Sequence, residues 1–195
     1  MDPALLPALL GFAFVASITP GPNNLMLLAS GANWGFRRTL PHLLGVAVGH
    51  SFMIVVVGLG LMGLFDAVPV LHDVLTWASV AYLLWLAWRI ATAVPKDGKA
   101  AGRPFTFLQA AAFQWVNPKA WYMAIGAITL YAGEGPLGVL AVAIAFAATN
   151  LPSISAWAAL GTRMRRWLDR PARLRAFNWT MAALLLLSLW PVLGR

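Results

Sequence analysis

Six long apolar stretches follow one another along this chain: Leu5 to Gly31, Leu40 to Phe65, Val70 to Ala91, Phe105 to Tyr131, Leu137 to Leu160 and Leu174 to Leu193. Each matches the roughly 20 residues that one membrane crossing requires. A soluble domain of 195 residues has too little interior to hide a composition that is 61% hydrophobic and only 10% charged. The expected fold is therefore an all-α integral membrane protein of about six transmembrane helices, a single transmembrane domain over residues 1–195. The first stretch starts directly after Met1 and Asp2, with no basic leader, and far exceeds the about 7 to 15 residues of a signal-peptide core. It reads as a retained helix. Cysteine is absent, which excludes disulfides, thiolate metal sites and cysteine nucleophiles.

The charges lie between the stretches. Arg37 and Arg38 occupy the first connection, Arg89, Lys96, Lys99 and Arg103 surround the third, and Arg163, Arg165, Arg166, Arg170, Arg173 and Arg175 fill the fifth. On the alternate side stand Asp2, Asp66, Asp73 and Glu134, with Arg195 as the basic exception. Lys/Arg-rich loops stay cytoplasmic, so both termini are expected outside. A five-span version, with one segment re-entrant or on the surface, is the competing reading. The same distribution argues against nucleic-acid binding, which concentrates basic residues on one soluble face. The fifth-loop arginines are a topology signal that also meets anionic lipid headgroups. Trp34, Trp85, Trp88, Trp167 and Trp190 stand near segment ends, as interfacial anchors do.

Two segments are interrupted. Thr19-Pro20-Gly21-Pro22-Asn23-Asn24 falls mid-way along the first, where two prolines remove backbone donors and free carbonyls. Unpaired backbone in hydrocarbon is tolerated only when buried in protein or lining a cavity, so this break is expected to face the bundle interior. Asn23 and Asn24 then stand at a half-helix N-terminus, which favours an anion such as a carboxylate. The fourth segment carries Gln114-Trp115-Val116-Asn117-Pro118-Lys119. Lys119 lies about 21 Å and 18 Å from the two segment ends at 1.5 Å per residue, beyond the snorkelling reach of its stem. Its expected partner is a substrate carboxylate or the carbonyls freed by the breaks. His50-Ser51 and Thr149-Asn150 also fall near mid-segment, and a buried His is either a proton relay or a structural donor. Gly45 and Gly49 fit close helix packing.

Pro20 and Pro118 are 98 residues apart, and the same offset carries Gly45 and Gly49 onto Ala143 and Ala147. With three crossings per half, this suggests two inverted three-helix repeats, 1–95 and 104–195, with helices 1 and 4 broken at matching places, a common plan of secondary transporters. The substrate-binding candidates are Pro20, Gly21, Pro22, Asn23, Asn24, Gln114, Asn117, Pro118, Lys119 and Asn150. His50 and Lys119 are the proton-coupling candidates. No zinc, nucleophile-elbow, P-loop or paired-carboxylate pattern is present, so neither an enzyme nor a metal or cofactor is expected. A membrane-embedded enzyme or lipid-handling protein using Lys119 and His50 is the alternative class.

At these residues a resemblance becomes specific. Thr19 to Asn24, Gly35-Phe36-Arg37-Arg38, Gly45 with Gly49, and Phe113 to Lys119 are similar to the hallmarks of the LysE/RhtB family of amino-acid exporters, over essentially the whole chain. Trp77 to Thr92 is most similar to the branch containing the cysteine and O-acetylserine exporter. The resemblance implies efflux of an amino-acid-like substrate across the inner membrane against proton entry, with a homo-oligomer compatible. Many members carry Asp where this chain has His50, which speaks against carboxylate-based coupling and against a basic substrate.

Overall fold

The computed structural model describes residues 3–61, 68, 70–93, 103–133 and 135–188. The segment ends Phe65 and Leu193, the loop residues Asp2, Asp66, Lys96, Lys99, Glu134 and Arg195, and Trp190 lie outside the described residues. Among the described residues every regular element is helical: α1 (Leu6–Ile18), α2 (Pro22–Trp34), α3 (Phe36–Val56), α4 (Val70–Ala91), α5 (Phe107–Phe113), α6 (Pro118–Ala127), α7 (Pro136–Met164) and α8 (Pro171–Leu187). A 3₁₀ turn, Gln114–Val116, joins α5 to α6, and π-helical turns at Val57–Leu61 and Ile128–Ala132 extend α3 and α6.

Backbone stereochemistry explains where the first and fourth runs break. The residue before a proline is driven out of the helical region, and Thr19 (ψ 145°), Gly21 (φ 179°, ψ 178°) and Asn117 (φ −98°, ψ 105°) are all extended. Pro22 and Pro118 then open α2 and α6 at the first helical position, where a missing N–H costs nothing. A proline does not always break a run: Pro41 and Pro152 lie inside continuous helices.

Three described helices are long and apolar enough to cross a membrane by themselves: Phe36–Gly60, Asp73–Ala91 and Pro136–Met164, with mean hydropathies of 2.1, 1.4 and 1.9. The broken runs fall short of that length because each is divided. The radial distribution of polarity is the reverse of a soluble domain. Phe14, Val48, Phe52, Trp77, Leu108 and Leu137 are exposed, while Asn24, Asn33, His42, His50, Gln114, Asn117, Asn150 and Asn178 are buried. Such an object is stable only where the surrounding solvent is itself apolar.

α7 is the spine and packs against α1, α2 and α3; α3 also packs on α5, and α4 pairs with α8. Small residues set these distances. A Cβ on Gly31 would run into the Ala158 carbonyl of α7, one on Gly161 into the Leu28 carbonyl of α2, and one on Gly45 into the Phe107 carbonyl of α5. Gly49 is equally tight against Ala111, so the packing role read for Gly45 and Gly49 is the one observed. Gly161→Val and Gly45→Val should each destabilise the detergent-solubilised protein by about 1–3 kcal/mol. Gly11→Val, with nothing within 4 Å of a new Cβ, should leave the unfolding transition unchanged, and thermal melts of the three variants check this.

Candidate functional site

Ending α1 at Ile18 leaves its last carbonyls without helical donors. Buried backbone groups must find partners, and here side chains supply them. Asn24 Nδ2 donates to the Ser17 carbonyl at 2.8 Å and to the Thr19 carbonyl at 2.7 Å. Trp157 Nε1 of α7 donates to the Ile18 carbonyl at 3.0 Å. Lys119 Nζ, from the start of α6, donates to the Thr19 carbonyl at 2.7 Å, to Thr19 Oγ1 at 2.9 Å and to the Pro20 carbonyl at 3.2 Å. Its charge thus sits at the negative end of the α1 dipole. Of the two partners expected for Lys119, the freed carbonyls are the ones it holds.

The breaks are joined at a second point. Asn23 Nδ2 donates to Gln114 Oε1 at 2.9 Å, and Gln114 Nε2 returns a bond to Asn23 Oδ1 at 3.2 Å while also reaching the Ala110 carbonyl. Asn117 caps α6 by accepting from the Lys119 backbone N–H at 3.2 Å. Gly21 carries no side chain for a steric reason: a Cβ there would lie 2.6 Å from Lys119 Cδ.

Between the breaks lies a cavity of about 20 Å³, lined by Ser17, Asn23, Asn24, His50, Lys119 and Asn150 among others. That volume holds about one water, so the site is nearly filled by its own polar groups. Gly21 and Asn117 also line it. Gln114 sits one contact away through Asn23, and Pro20, Pro22 and Pro118 act through the backbone. His50 Nε2 lies 3.3 Å from the Ala120 carbonyl, and its ring meets Phe146 edge-on at 5.2 Å. His50 Nδ1 and Ser17 Oγ are buried without hydrogen-bond partners, leaving two polar atoms free within the cavity wall.

Several expectations change. The first break does not face inward throughout: Gly21, Pro22 and Asn24 are buried, but Thr19 and Pro20 reach the outer surface, where the Lys119 ammonium satisfies their oxygens. Thr149 turns back to the Ala145 carbonyl of its own helix, and Ser51 contacts the Ala143 carbonyl at 3.5 Å. Trp34 is no lipid-facing anchor: it is half-buried with Nε1 enclosed, whereas Trp85, Trp88 and Trp167 are exposed. Ser17 and Trp157 were missed; both are polar-tipped groups deep within apolar runs, which was the available signal.

The chain matches the model of the LysE type translocator family over residues 14–188. It belongs to that family. A LysE-type translocator is a membrane transport protein rather than an enzyme. The chain is 31% identical over 188 residues, 95% of each sequence, to a cysteine/O-acetylserine efflux protein of Klebsiella pneumoniae. It is 33% identical over 133 residues, 67% of each sequence, to the proteins of that name from Escherichia coli K12 and Shigella flexneri. No solved structure matches the chain.

In a variant whose other two lysines, Lys96 and Lys99, are replaced by arginine, Gly21→Ala should dislodge the flexible Lys119 side chain from Thr19 without unfolding the protein. Labelling with a membrane-permeant amine reagent should then be several-fold faster than with Gly21 present; equal rates would place the ammonium elsewhere.

Proposed function

We propose that this translocator exports a small amino acid or close derivative across the cytoplasmic membrane by alternating access around the cavity between the two broken helices. The observation that carries this reading is the ammonium of Lys119, held by neutral backbone oxygens of the opposite break beside a narrow polar cavity. A carboxylate is a stronger partner for an ammonium than a carbonyl is, because both groups are charged. A substrate carboxylate therefore competes for Lys119, and winning it loosens the link between α1 and α6. Asn23 and Asn24, at the α2 N-terminus, and the neutral amides of Asn117, Asn150 and Gln114 are assigned to the rest of the substrate. The relatives' names speak of cysteine and O-acetylserine, both zwitterions with short polar side chains, which suits a site without acidic residues to hold a second cation.

The crossing plan we propose is six spans, with α1–α2 and α5–α6 each counting as one, both termini outside, and inverted repeats 1–95 and 104–195. The exchange of partners supports the repeats: the first broken run packs on α7, its counterpart α5 packs on α3, and α3 meets α7 directly. Protons are the proposed coupling ion, with His50 and Lys119 as the titratable groups, since His50 presents an unpartnered nitrogen next to the cavity.

Pro20→Ala, Asn24→Ala and Lys119→Ala should each insert normally yet slow efflux of cysteine from loaded vesicles. The loss for Lys119→Ala should be about tenfold or more, the size of a hydrogen bond to a charged group. Wild-type rates in all three variants would remove this site from the transport path.

A further inference from the structure

A second pocket is larger than the cavity between the breaks. A pocket of about 260 Å³ opens between the C-terminal half of α2, the start of α3, the end of α4 and the segment leading into α5. It lies just under the about 300–1,000 Å³ of sites for drug-sized ligands, and is large enough for a small metabolite where the central cavity is not. Its walls include Asn33, Trp34, His42, Arg89, Arg103 and Phe105. All belong to the end of the bundle that carries the basic first and third connections.

Its polar groups are unusually free. Both ring nitrogens of His42, which is only 2% exposed, lack hydrogen-bond partners, as do Trp34 Nε1 and Asn33 Oδ1. A buried polar atom without a partner is costly and calls for an explanation. The surrounding frame is rigid: Asn33 Nδ2 donates to Asn178 Oδ1 at 3.1 Å, Asn178 donates to the Ala93 carbonyl at 2.8 Å, and His42 packs on Phe105 at 5.3 Å. Arg89 lies over the Trp85 ring at 5.1 Å. Among the described residues neither Arg89 nor Arg103 is in an ion pair. The guanidinium-bearing side chains of Arg89 and Arg103 line the pocket and form a donor set for a carboxylate, while Trp34 Nε1, Asn33 Oδ1 and the two His42 nitrogens are enclosed in its wall.

We infer that this pocket is a second binding site, a vestibule at the basic end of the bundle that receives a small zwitterion through its carboxylate before it reaches the central cavity. The role as vestibule rests on the export reading; the binding does not. α2 walls both chambers, and Asn33 stands about 15 Å along it from Asn23.

The test is equilibrium binding of radiolabelled L-cysteine to the purified protein, with cysteamine, the same molecule without its carboxylate, as competitor. R89Q/R103Q should weaken cysteine binding about tenfold or more, as expected for contacts to a charged group. The charge-conserving R89K/R103K should restore most of it, the same differences should persist in the Lys119→Ala background, where the central site no longer holds the carboxylate, and cysteamine should not compete. Undiminished binding in R89Q/R103Q, equal competition by cysteamine, or no cysteine binding by the wild type would each overturn the proposal. Efflux by the wild type is scored separately, so a vestibule that fails leaves the export reading standing, and efflux that fails leaves a binding result intact.

Discussion

A helix that ends inside an apolar solvent must find donors for its last carbonyls, and the rest of this structure depends on how α1 meets that demand. Side chains here provide what a continuing helix would have given. Asn24, Trp157 and Lys119 supply the donors for the oxygens from Ser17 to Pro20. They come from α2, α7 and α6, so satisfying one helix end fastens four helices to one point. A break that looks like a weakness becomes the place where the bundle is tied together.

On the proposed export mechanism, the knot is also what a substrate must open. The Lys119 ammonium is held by oxygens that are good partners but uncharged, and a ligand bearing a formal negative charge outbids them. The reciprocal amide pair of Asn23 and Gln114 is the second fastening, and it too trades readily with an incoming hydrogen-bonding group. With a central cavity of about 20 Å³, passage by the proposed route would require both fastenings to separate. Closely packed small residues at Gly31, Gly45, Gly49 and Gly161 bring the neighbouring helices into backbone contact around this point.

Much of this was legible in the residues because the deciding effects are local. Proline fixes its own φ and disfavours the helix at its predecessor, so the extended Thr19, Gly21 and Asn117 were expected, although the same rule did not break the chain at Pro41 or Pro152. The need of Lys119 for a partner followed from its place within an apolar run and the cost of a buried charge. Which partner it takes was not legible, since that depends on how the fourth segment docks against the first. Tertiary packing likewise decided that Thr149 bonds its own helix, that Trp34 turns inward and that Trp157 reaches Ile18. The π-helical turns at Val57–Leu61 and Ile128–Ala132 left no pattern in the sequence. The larger pocket stayed hidden for a related reason: its lining is drawn from four separate stretches, no one of which contains a motif.

The most direct measurement exploits the absence of native cysteine. Ala16 of α1 and Met123 of α6 line the central cavity from opposite sides without contributing a polar group. With cysteines at both positions, a short cleavable thiol-reactive linker bridges the broken helices across the cavity. If the substrate passes between them, bridging should stop export and cleaving the linker should restore it. Export by the bridged protein at the unbridged rate would show that the route lies elsewhere.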